Sequence, residues 1–209
     1  MTQRRAVAVC VFAKPPQPGA CKTRLAAVVG DDAAAEVARA MLLDTWDVVT
    51  AVDGVTPILA TTDPAADHGL GPVTAWDQGG GDLGARQVRV LQRALVEHDA
   101  ALAVGADIGS LTPELLAGAV AQLREHAAVL GPAEDGGYWI LGLTRCPDDL
   151  LDGVAWSVQS TGAEVLARLT ARLGDVAIAP TAWDVDELAD LRRAATGPGR
   201  LGAVARQLM

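Results

Sequence analysis

This chain of 209 residues is short of cysteine, of aromatic residues and of long apolar runs, and each shortage excludes a class of protein. Its three cysteines, Cys10, Cys21 and Cys146, are too few and too scattered for a disulfide framework or a zinc site. Five tryptophans, one tyrosine and one phenylalanine are too few for a cofactor held between stacked rings. No apolar stretch approaches the roughly 18 residues that a membrane span needs.

Positive charge is also scarce, with 17 lysines and arginines against 26 acidic residues and a formal net charge of −9. This excess of negative charge disfavours nucleic acid or an anionic membrane as the partner. Residues 1–5 lead directly into an apolar strand pattern and have no signal-peptide core. We therefore expect a cytoplasmic protein without nucleic-acid or membrane partners, forming a single domain over residues 1–209.

Apolar runs typical of buried strands alternate with segments of helical periodicity along the chain. The predicted strands are Ala6–Ala13, Val55–Ala60, Val73–Trp76, Ala100–Val104, Ala127–Gly131, Tyr138–Leu143 and Val176–Ala179. The predicted helices are Asp32–Val52, Leu83–Glu97, Pro113–Arg124, Thr161–Leu173 and Glu187–Ala195. This alternation predicts an α/β fold with a mostly parallel sheet and helices on both faces. Ligands of such sheets bind beyond the carboxyl ends of the strands.

The most informative segment is the first predicted strand and the loop that follows it. The strand ends abruptly in a loop rich in proline that carries Lys14 and Gly19. Lys22 and Arg24 come next, where the pattern predicts the start of a helix. Free N–H groups at a helix start, combined with three cationic side chains, make a site for a polyphosphate or another anion.

Two acidic groups are candidate metal ligands. Asp107 follows the fourth predicted strand, and because Thr112 can cap the next helix, Asp107 is free to bind Mg²⁺ or Mn²⁺. Asp184 and Asp186 point the same way if their segment is extended, and would complete a two-carboxylate site with Asp107. Capping of the helix that begins near Glu187 is the alternative role for this second group.

A glycine-rich loop lies between the third strand and the helix at Leu83. In it, Gln78 can reach a base edge and Arg86 a phosphate, with Gly79 allowing close approach. A solvated loop with Asp82 as the helix cap is the alternative. Neither a dinucleotide fingerprint nor a P-loop motif is present, which disfavours an NAD enzyme and a P-loop ATPase.

A second glycine-rich segment, Asp135-Gly136-Gly137-Tyr138, leads into the sixth predicted strand. Its glycines would let a substrate approach the backbone. A hairpin turn explains the same residues equally well. Both interpretations stay open at this point.

These motifs together resemble a bacterial family of nucleotide-diphospho-sugar transferase-like proteins, of the GT-A glycosyltransferase type. The family pattern F-A-K-x-P-x-P-G-x-x-K-T-R-L, G-x-G-D-L-G-x-R, G-x-D-x-P-x-L, G-P-x-x-D-G-G-Y, W-S and D-x-D is matched at Phe12–Leu25, Gly79–Arg86, Gly105–Leu111, Gly131–Tyr138, Trp156-Ser157 and Asp184–Asp186. The match spans nearly the whole chain, with one departure, Gly109 in place of the expected proline. More distantly, the chain is similar to molybdenum-cofactor and 2-phospholactate guanylyltransferases.

The resemblance implies a Rossmann-like GT-A sheet that binds a nucleotide with its N-terminal half. It implies catalytic roles for Lys22, Arg24 and Asp107, and Asp186 as a second metal ligand beside Asp107. The nucleotide-binding set would be Lys14, Gly19, Lys22, Arg24, Gln78, Gly79 and Arg86. The acceptor pocket would be bordered by Asp135, Gly136, Gly137 and Tyr138.

Three functions follow as alternatives. The first is a metal-dependent nucleotidyltransferase, in which a small phosphorylated acceptor attacks a nucleoside triphosphate and pyrophosphate leaves. The cationic loop favours it, and no Asp-x-Asp ends the fourth strand, where glycosyltransferases usually carry one. The second is a GT-A glycosyltransferase with an NDP-sugar donor, and the third a nucleotide-binding protein without catalysis. A homodimer is left open, because the apolar segment Leu201–Met209 can dock on its own chain or on a second copy.

Overall fold

The computed structural model describes residues 6–209, which form a seven-stranded sheet with helices packed against both faces. The strands are β1 (Val7–Ala13), β2 (Val55–Thr61), β3 (Ala75–Asp77), β4 (Ala100–Gly105), β5 (Ala128–Pro132), β6 (Tyr138–Leu143) and β7 (Val176–Ile178). The helices are α1 (Thr23–Val29), α2 (Asp31–Ala51), α3 (Leu83–Leu95), α4 (Pro113–Gln122), α5 (Thr161–Leu173), α6 (Leu188–Ala194) and α7 (Gly199–Gln207).

The strand order in the sheet is β3-β2-β1-β4-β6-β5-β7. β6 is antiparallel to both of its neighbours, β4 and β5, while the other pairs are parallel. The carboxyl ends of β1 and β4 therefore meet the amino end of β6 at one edge of the sheet. The predicted α/β fold with a mostly parallel sheet is confirmed.

Alternation along the strands divides the apolar side chains between the two faces of the sheet. Val7, Val9 and Val11 of β1 pack in one cluster with side chains of α2 and α4. Ala8 and Cys10 pack on the opposite face with side chains of α3 and α5. β1 is buried on both faces, which is why its sequence is almost continuously apolar.

A third apolar cluster joins α1, α2, α6 and α7 beside the sheet. Leu201 of α7 is buried there against α2, and Arg200 bonds Asp44 and Asp47 of α2 at 3.0 and 2.6 Å. The C-terminal segment therefore docks on its own chain. None of the helices formed by residues 6–209 combines the length and the apolar character needed to cross a membrane.

Two helices differ from the sequence-based prediction. The helix start predicted near Lys22 belongs to a short helix, α1, whose bounds the sequence does not predict, and it ends before Gly30, which has φ 89°, in the region that favours glycine. Helix α7 is not predicted from the sequence, because its apolar positions form a buried face only where they pack against α2. The Asp135–Gly137 turn joins β5 to β6, so the hairpin interpretation of this segment is confirmed.

Candidate active site

The centre of the site is a lysine held between two carboxylates that are distant in sequence. The Lys22 Nζ donates to Asp107 Oδ2 at 2.8 Å and to Asp186 Oδ1 at 2.9 Å. Arg24 Nη1 reaches the other oxygen of Asp186 at 3.4 Å, but its own side chain is 67% exposed. The structure thus brings together two cations of the first loop, Lys22 and Arg24, and both predicted metal ligands.

Lys22 reaches this position through an unusual backbone conformation. It is the residue before α1 and has φ 46° and ψ 49°, in the left-handed region that non-glycine residues seldom adopt. Its side chain is only 11% exposed. Strain of this kind, about 1–3 kcal/mol, persists where the surrounding structure imposes it and is concentrated at functional sites.

Backbone hydrogen bonds hold the acidic segment against the loop after β4. Gly109 N donates to Trp183 O at 2.9 Å and Val185 N to Asp107 O at 3.0 Å, forming a short antiparallel bridge between Ile108 and Asp184. Because side chains alternate along an extended segment, Asp184 and Asp186 lie on the same side as each other. This pairing sets the Asp-x-Asp segment beside Asp107.

Gly109, the departure from the family pattern, is fitted to its neighbour Trp183. A Cβ on Gly109 would lie 2.3 Å from the Trp183 ring, and a proline there could not donate to Trp183 O. The ring is covered on another side by Arg193, whose guanidinium carbon lies 4.3 Å from the ring centroid. The missing proline is therefore matched by a tryptophan that occupies the space a side chain would need.

The helix-capping alternatives for the acidic residues are not realised in the structure. Helix α6 is capped by a reciprocal pair in which Glu187 and Asp190 accept each other's backbone N–H groups. Thr112 caps α4 by accepting from Leu115 N at 3.2 Å. Asp107, Asp184 and Asp186 are thereby left free for another role, whereas Asp82 does cap α3, as the alternative held.

The three aspartates form the one acidic group within residues 6–209 whose ligand oxygens all lie within 4.8 Å of one another. Burial, together with the neighbouring Asp135 and Asp107 carboxylates, raises the pKa of the Asp184 carboxyl to about 6. Burial acts in the same direction on Asp186, but Lys22 and Arg24 outweigh it and lower its pKa. Burial opposes the charge of Lys22, yet Asp107 and Asp186 raise its pKa above the ordinary value. The cluster thus combines three carboxyl groups with a single buried cation, Lys22.

Two clefts meet at this cluster. The first, of about 290 Å³, lies between the loop after β1 and helix α2, and both Lys14 and Lys22 line it. The second, of about 360 Å³, lies between the loop after β4, the amino end of β6 and the segment before α5. Phe12 and Asp107 line both clefts. Molecules bound in the two clefts would therefore face each other across Asp107.

The glycine-rich loop after β3 is not part of either cleft lining. The Gln78 amide is buried and donates to Ala60 O at 2.8 Å, so it is engaged in holding the loop to β2. Gly79 N donates to Asp77 Oδ1, and Arg86 Nε donates to Gly81 O at 3.0 Å. Gly19 has φ 74° and lies in the exposed turn before Lys22. Contacts of these residues with a nucleotide stay predictions.

The predicted acceptor residues lie in or beside the second cleft. Asp135, Gly137 and Tyr138 line it, and the Tyr138 hydroxyl donates to Gln87 Oε1. Gly136 packs beneath them, where its carbonyl accepts from Gly162 N at 2.8 Å. Phe12 and Trp156 also line the cleft, and the sequence alone does not indicate either as a site residue, although both fall within the family motifs.

Comparison with known protein families gives one match. Residues 36–158 match the model of a family described as "Uncharacterized protein conserved in bacteria (DUF2064)". The matched range includes Asp107 and the glycine-rich segments, but not the Lys22 loop or the Asp-x-Asp segment. A search of curated protein sequences finds no match.

Three solved structures are similar over most of the chain. A provisionally assigned nucleotide-diphospho-sugar transferase from Desulfovibrio desulfuricans G20 has a TM-score of 0.87 and 29% identity, covering 97% of this chain and 94% of its own. CMP:2-keto-3-deoxy-manno-octonic acid synthetase in complex with CTP has a TM-score of 0.60 and 15% identity, covering 96% and 99%. Glucosyl-3-phosphoglycerate synthase from Mycobacterium tuberculosis, with Mn²⁺ and UDP, has 0.54 and 14%, covering 98% and 77%.

The first of these structures confirms the resemblance to nucleotide-diphospho-sugar transferase-like proteins inferred from the motifs. The other two, at lower identity, show a common fold. By their names all three act in transfer or synthesis, and two were determined with a nucleotide bound.

Proposed function

Because the chain belongs to the bacterial protein family DUF2064 and shares its fold with nucleotide-dependent enzymes, we propose that it is a divalent-metal-dependent transferase with a nucleotide donor. The transfer we favour is of a nucleotidyl group from a nucleoside triphosphate. The observation that carries this proposal is the junction of two clefts at Asp107, with lysines on one side and carboxylates at the centre.

The carboxylate oxygens at the junction of the clefts fit a hard divalent cation. Asp107, Asp184 and Asp186 offer carboxylate oxygens within 4.8 Å of one another, and Mg²⁺ or Mn²⁺ is bound through carboxylates together with substrate phosphates. Bound there, the ion would neutralise the charge that develops on phosphate oxygens during transfer. In the M. tuberculosis synthase Mn²⁺ accompanies UDP, which is consistent with this assignment.

The first cleft suits the phosphates of the donor. Lys14 has no ion-pair partner within the part of the chain that the structure describes, so its ammonium is available to an anion. Lys22 reaches the boundary between this cleft and the carboxylates. Arg24, at the start of α1, adds charge at the rim. Transfer of a phosphoryl-type group depends mainly on such positioning and charge neutralisation.

In the favoured reaction an acceptor oxygen forms a bond to the α-phosphorus of the triphosphate. The bond from that phosphorus to the bridging oxygen breaks, and pyrophosphate leaves with the electron pair. The acceptor expected from the sequence is a small phosphorylated molecule.

A glycosyltransferase with an NDP-sugar donor is the second candidate. The observation that favours it is the Asp-x-Asp segment, which backbone hydrogen bonds attach to the loop after β4. The segment would thereby add two carboxylates to the single Asp107 that follows β4. A protein that binds a nucleotide without turnover is the third candidate, and it differs from both in consuming no donor.

Thermal-shift titrations of nucleoside triphosphates and NDP-sugars, with and without Mg²⁺, distinguish the three functions. We expect a Mg²⁺-dependent rise in melting temperature with one triphosphate, because a ligand that binds only the folded state stabilises it. Asp107→Asn should abolish that rise. Asp175→Asn is the matched control, because this acid pairs with His126 outside both clefts.

A rise with an NDP-sugar alone would assign the glycosyltransferase instead. If a nucleotide binds but chromatography shows that no donor is consumed, the third, non-catalytic function is supported. The proposal of a nucleotide donor is contradicted if none of these compounds shifts the melting temperature of the wild type.

A further inference from the structure

The second cleft has a chemistry different from that of the first. Four of the seven aromatic residues of the chain line it: Phe12, Tyr138, Trp139 and Trp156. Its charged lining consists of Asp107, Asp135 and Asp184, and no lysine, arginine or histidine is among its lining residues within 6–209. The first cleft, by contrast, is lined by two lysines.

The aromatic side chains are held rigidly, as a preformed binding surface requires. Trp139 is 2% exposed, and its Nε1 donates to Pro180 O at 3.0 Å. The Tyr138 hydroxyl is fixed by Gln87. Trp156 packs against the first turn of α3, where a Cβ on Gly84 would lie 2.7 Å from its ring. The half-buried rings of Tyr138 and Trp156, fixed in this way, offer apolar area at little cost in conformational entropy.

Two further features single out this cleft. The Trp156 Nε1 is buried and has no hydrogen-bond partner in the structure, which is costly for a donor. Next to it, Ser157 has φ 60°, and it and Lys22 are the two non-glycine residues of the described chain with positive φ. One such residue therefore lies in each cleft, and strained backbone is typical of functional sites.

The charge of this cleft argues against an anionic occupant. An anion here would be desolvated beside carboxylates without any cationic side chain to bond it, whereas phosphate sites are normally built from arginine or lysine. A divalent ion on the three central aspartates would offset their charge, but Asp135 would keep its own. A neutral or positively charged molecule meets no such penalty, and aromatic faces attract cations and apolar ring faces alike.

We propose that the second cleft binds the acceptor as an alcohol without negative charge, whose apolar face packs on Trp156 and Phe12. This inference rests on the proposed function and replaces the phosphorylated acceptor expected from the sequence. As the alcohol oxygen bonds to the α-phosphorus and pyrophosphate leaves, the alcohol proton would pass to a carboxylate that lines the cleft, Asp135 or Asp184. A neutral alcohol and a cationic amino alcohol share this chemistry, and the experiment separates them.

Three cyclohexane probes with the same ring and hydroxyl test the charge preference directly. They are trans-1,4-cyclohexanediol, trans-4-aminocyclohexanol and trans-4-hydroxycyclohexanecarboxylate, which are neutral, cationic and anionic at pH 7. Each is titrated in Mg²⁺ into the ¹⁵N-labelled full chain while the five tryptophan indole N–H signals are followed by NMR. Trp156→Phe and Trp139→Phe assign the two signals of the cleft.

We expect the Trp156 and Trp139 signals to shift with the neutral or the cationic probe at a Kd at least tenfold below that of the anionic probe. The Trp46 signal serves as the internal control, because Trp46 does not line the second cleft and packs in the cluster on the other face of the sheet from Trp156. Asp135→Asn should reduce the ratio between the Kd values of the anionic and cationic probes severalfold. The variant keeps its turn, because an asparagine oxygen can still accept from Gly137 N, as Asp135 does at 2.8 Å.

Tightest binding by the anionic probe, or no shift of the two cleft signals with any probe, overturns the inference. The titrations need no nucleotide, so their outcome is independent of the donor. If a triphosphate binds in the thermal-shift test but the anionic probe wins here, the proposed function stands and the acceptor class is wrong. If no donor binds, the proposed function fails whatever the probes show.

Discussion

Lys22 occupies the position that a divalent cation would take, and its removal should therefore strengthen metal binding rather than weaken it. Its Nζ lies 2.8 and 2.9 Å from oxygens of Asp107 and Asp186. An ion bound to the same two oxygens at the usual distance of about 2.1 Å would overlap with the ammonium. Metal entry thus requires Lys22 to leave both carboxylates, and Lys22→Met removes that competition.

The magnitude follows from the burial of the three side chains. Exposed ion pairs contribute up to about 1 kcal/mol, whereas loss of one partner from a buried pair costs about 3–5 kcal/mol. Lys22 is 11% exposed and the carboxylates are 39% and 40% exposed, so the network is intermediate. We expect Lys22→Met to lose about 2 kcal/mol of metal-free stability, a fall of roughly 4–8 °C in melting temperature. The same energy opposes metal binding in the wild type and corresponds to about a 30-fold change in affinity.

The assay is isothermal titration with Mn²⁺ without nucleotide, together with melting curves in EDTA and in Mn²⁺. Lys14→Met is the matched control, because it removes an equal charge from the same cleft without breaking an ion pair. It should leave both the melting temperature and the Mn²⁺ affinity nearly unchanged. If Lys22→Met binds Mn²⁺ no more tightly than the wild type, the lysine does not occupy the metal position and the reasoning is refuted.

Three further predictions follow from single contacts. Gly109→Pro should lower the free energy of unfolding by about 3 kcal/mol in a urea titration, because it removes the hydrogen bond to Trp183 O and clashes with the Trp183 ring. An unchanged urea midpoint would contradict this, and Gly109→Ala measures the clash alone. The raised pKa of Asp184 means that the folded state holds this proton more tightly than the unfolded state. In EDTA the wild type should therefore lose stability relative to Asp184→Asn as the pH rises from about 4 to about 6. Melting temperatures of the two proteins that stay parallel across that range would speak against this prediction. Leu201→Ala should cost about 2–3 kcal/mol by leaving a cavity between α7 and α2, while the exposed Met209→Ala should have no effect on the same denaturation curve.

The order of strands and helices could be predicted because each buried parallel strand is a short, nearly continuous apolar run. Thr161–Leu173 is observed with the predicted bounds, and the predicted Ala100–Val104 strand is one residue longer. The position of β6 between β4 and β5 could not be predicted. The turn at Asp135–Gly137 indicates a hairpin, but pairing of β6 with β4 involves residues about 40 positions apart.

For the site, the sequence identified the residue types but not their partners. Asp107 and Asp186 were expected as metal ligands, yet nothing local indicates that Lys22, 85 and 164 positions away, bonds both of them. Gln78 shows the opposite limit. Its position in a glycine-rich loop predicts a ligand contact, which stays a prediction, whereas nothing in the sequence indicates that its side-chain amide donates to Ala60 O. A side-chain amide serves a ligand or the backbone equally well, and only tertiary packing decides between them.

An acidic chain with an anionic donor presents no contradiction, because phosphate binding depends on the charges close to the site, and several acids elsewhere are paired with arginines. Asp44 and Asp47 pair with Arg200, and other acids pair with arginines along the surface: Glu134 with Arg193, Asp149 with Arg172 and Glu164 with Arg168. Lys14 has no such partner within residues 6–209, and Lys22 becomes free once another cation takes its carboxylates. The local field at the first cleft, rather than the net charge of −9, therefore governs the binding of phosphate, and metal and donor should each strengthen the binding of the other.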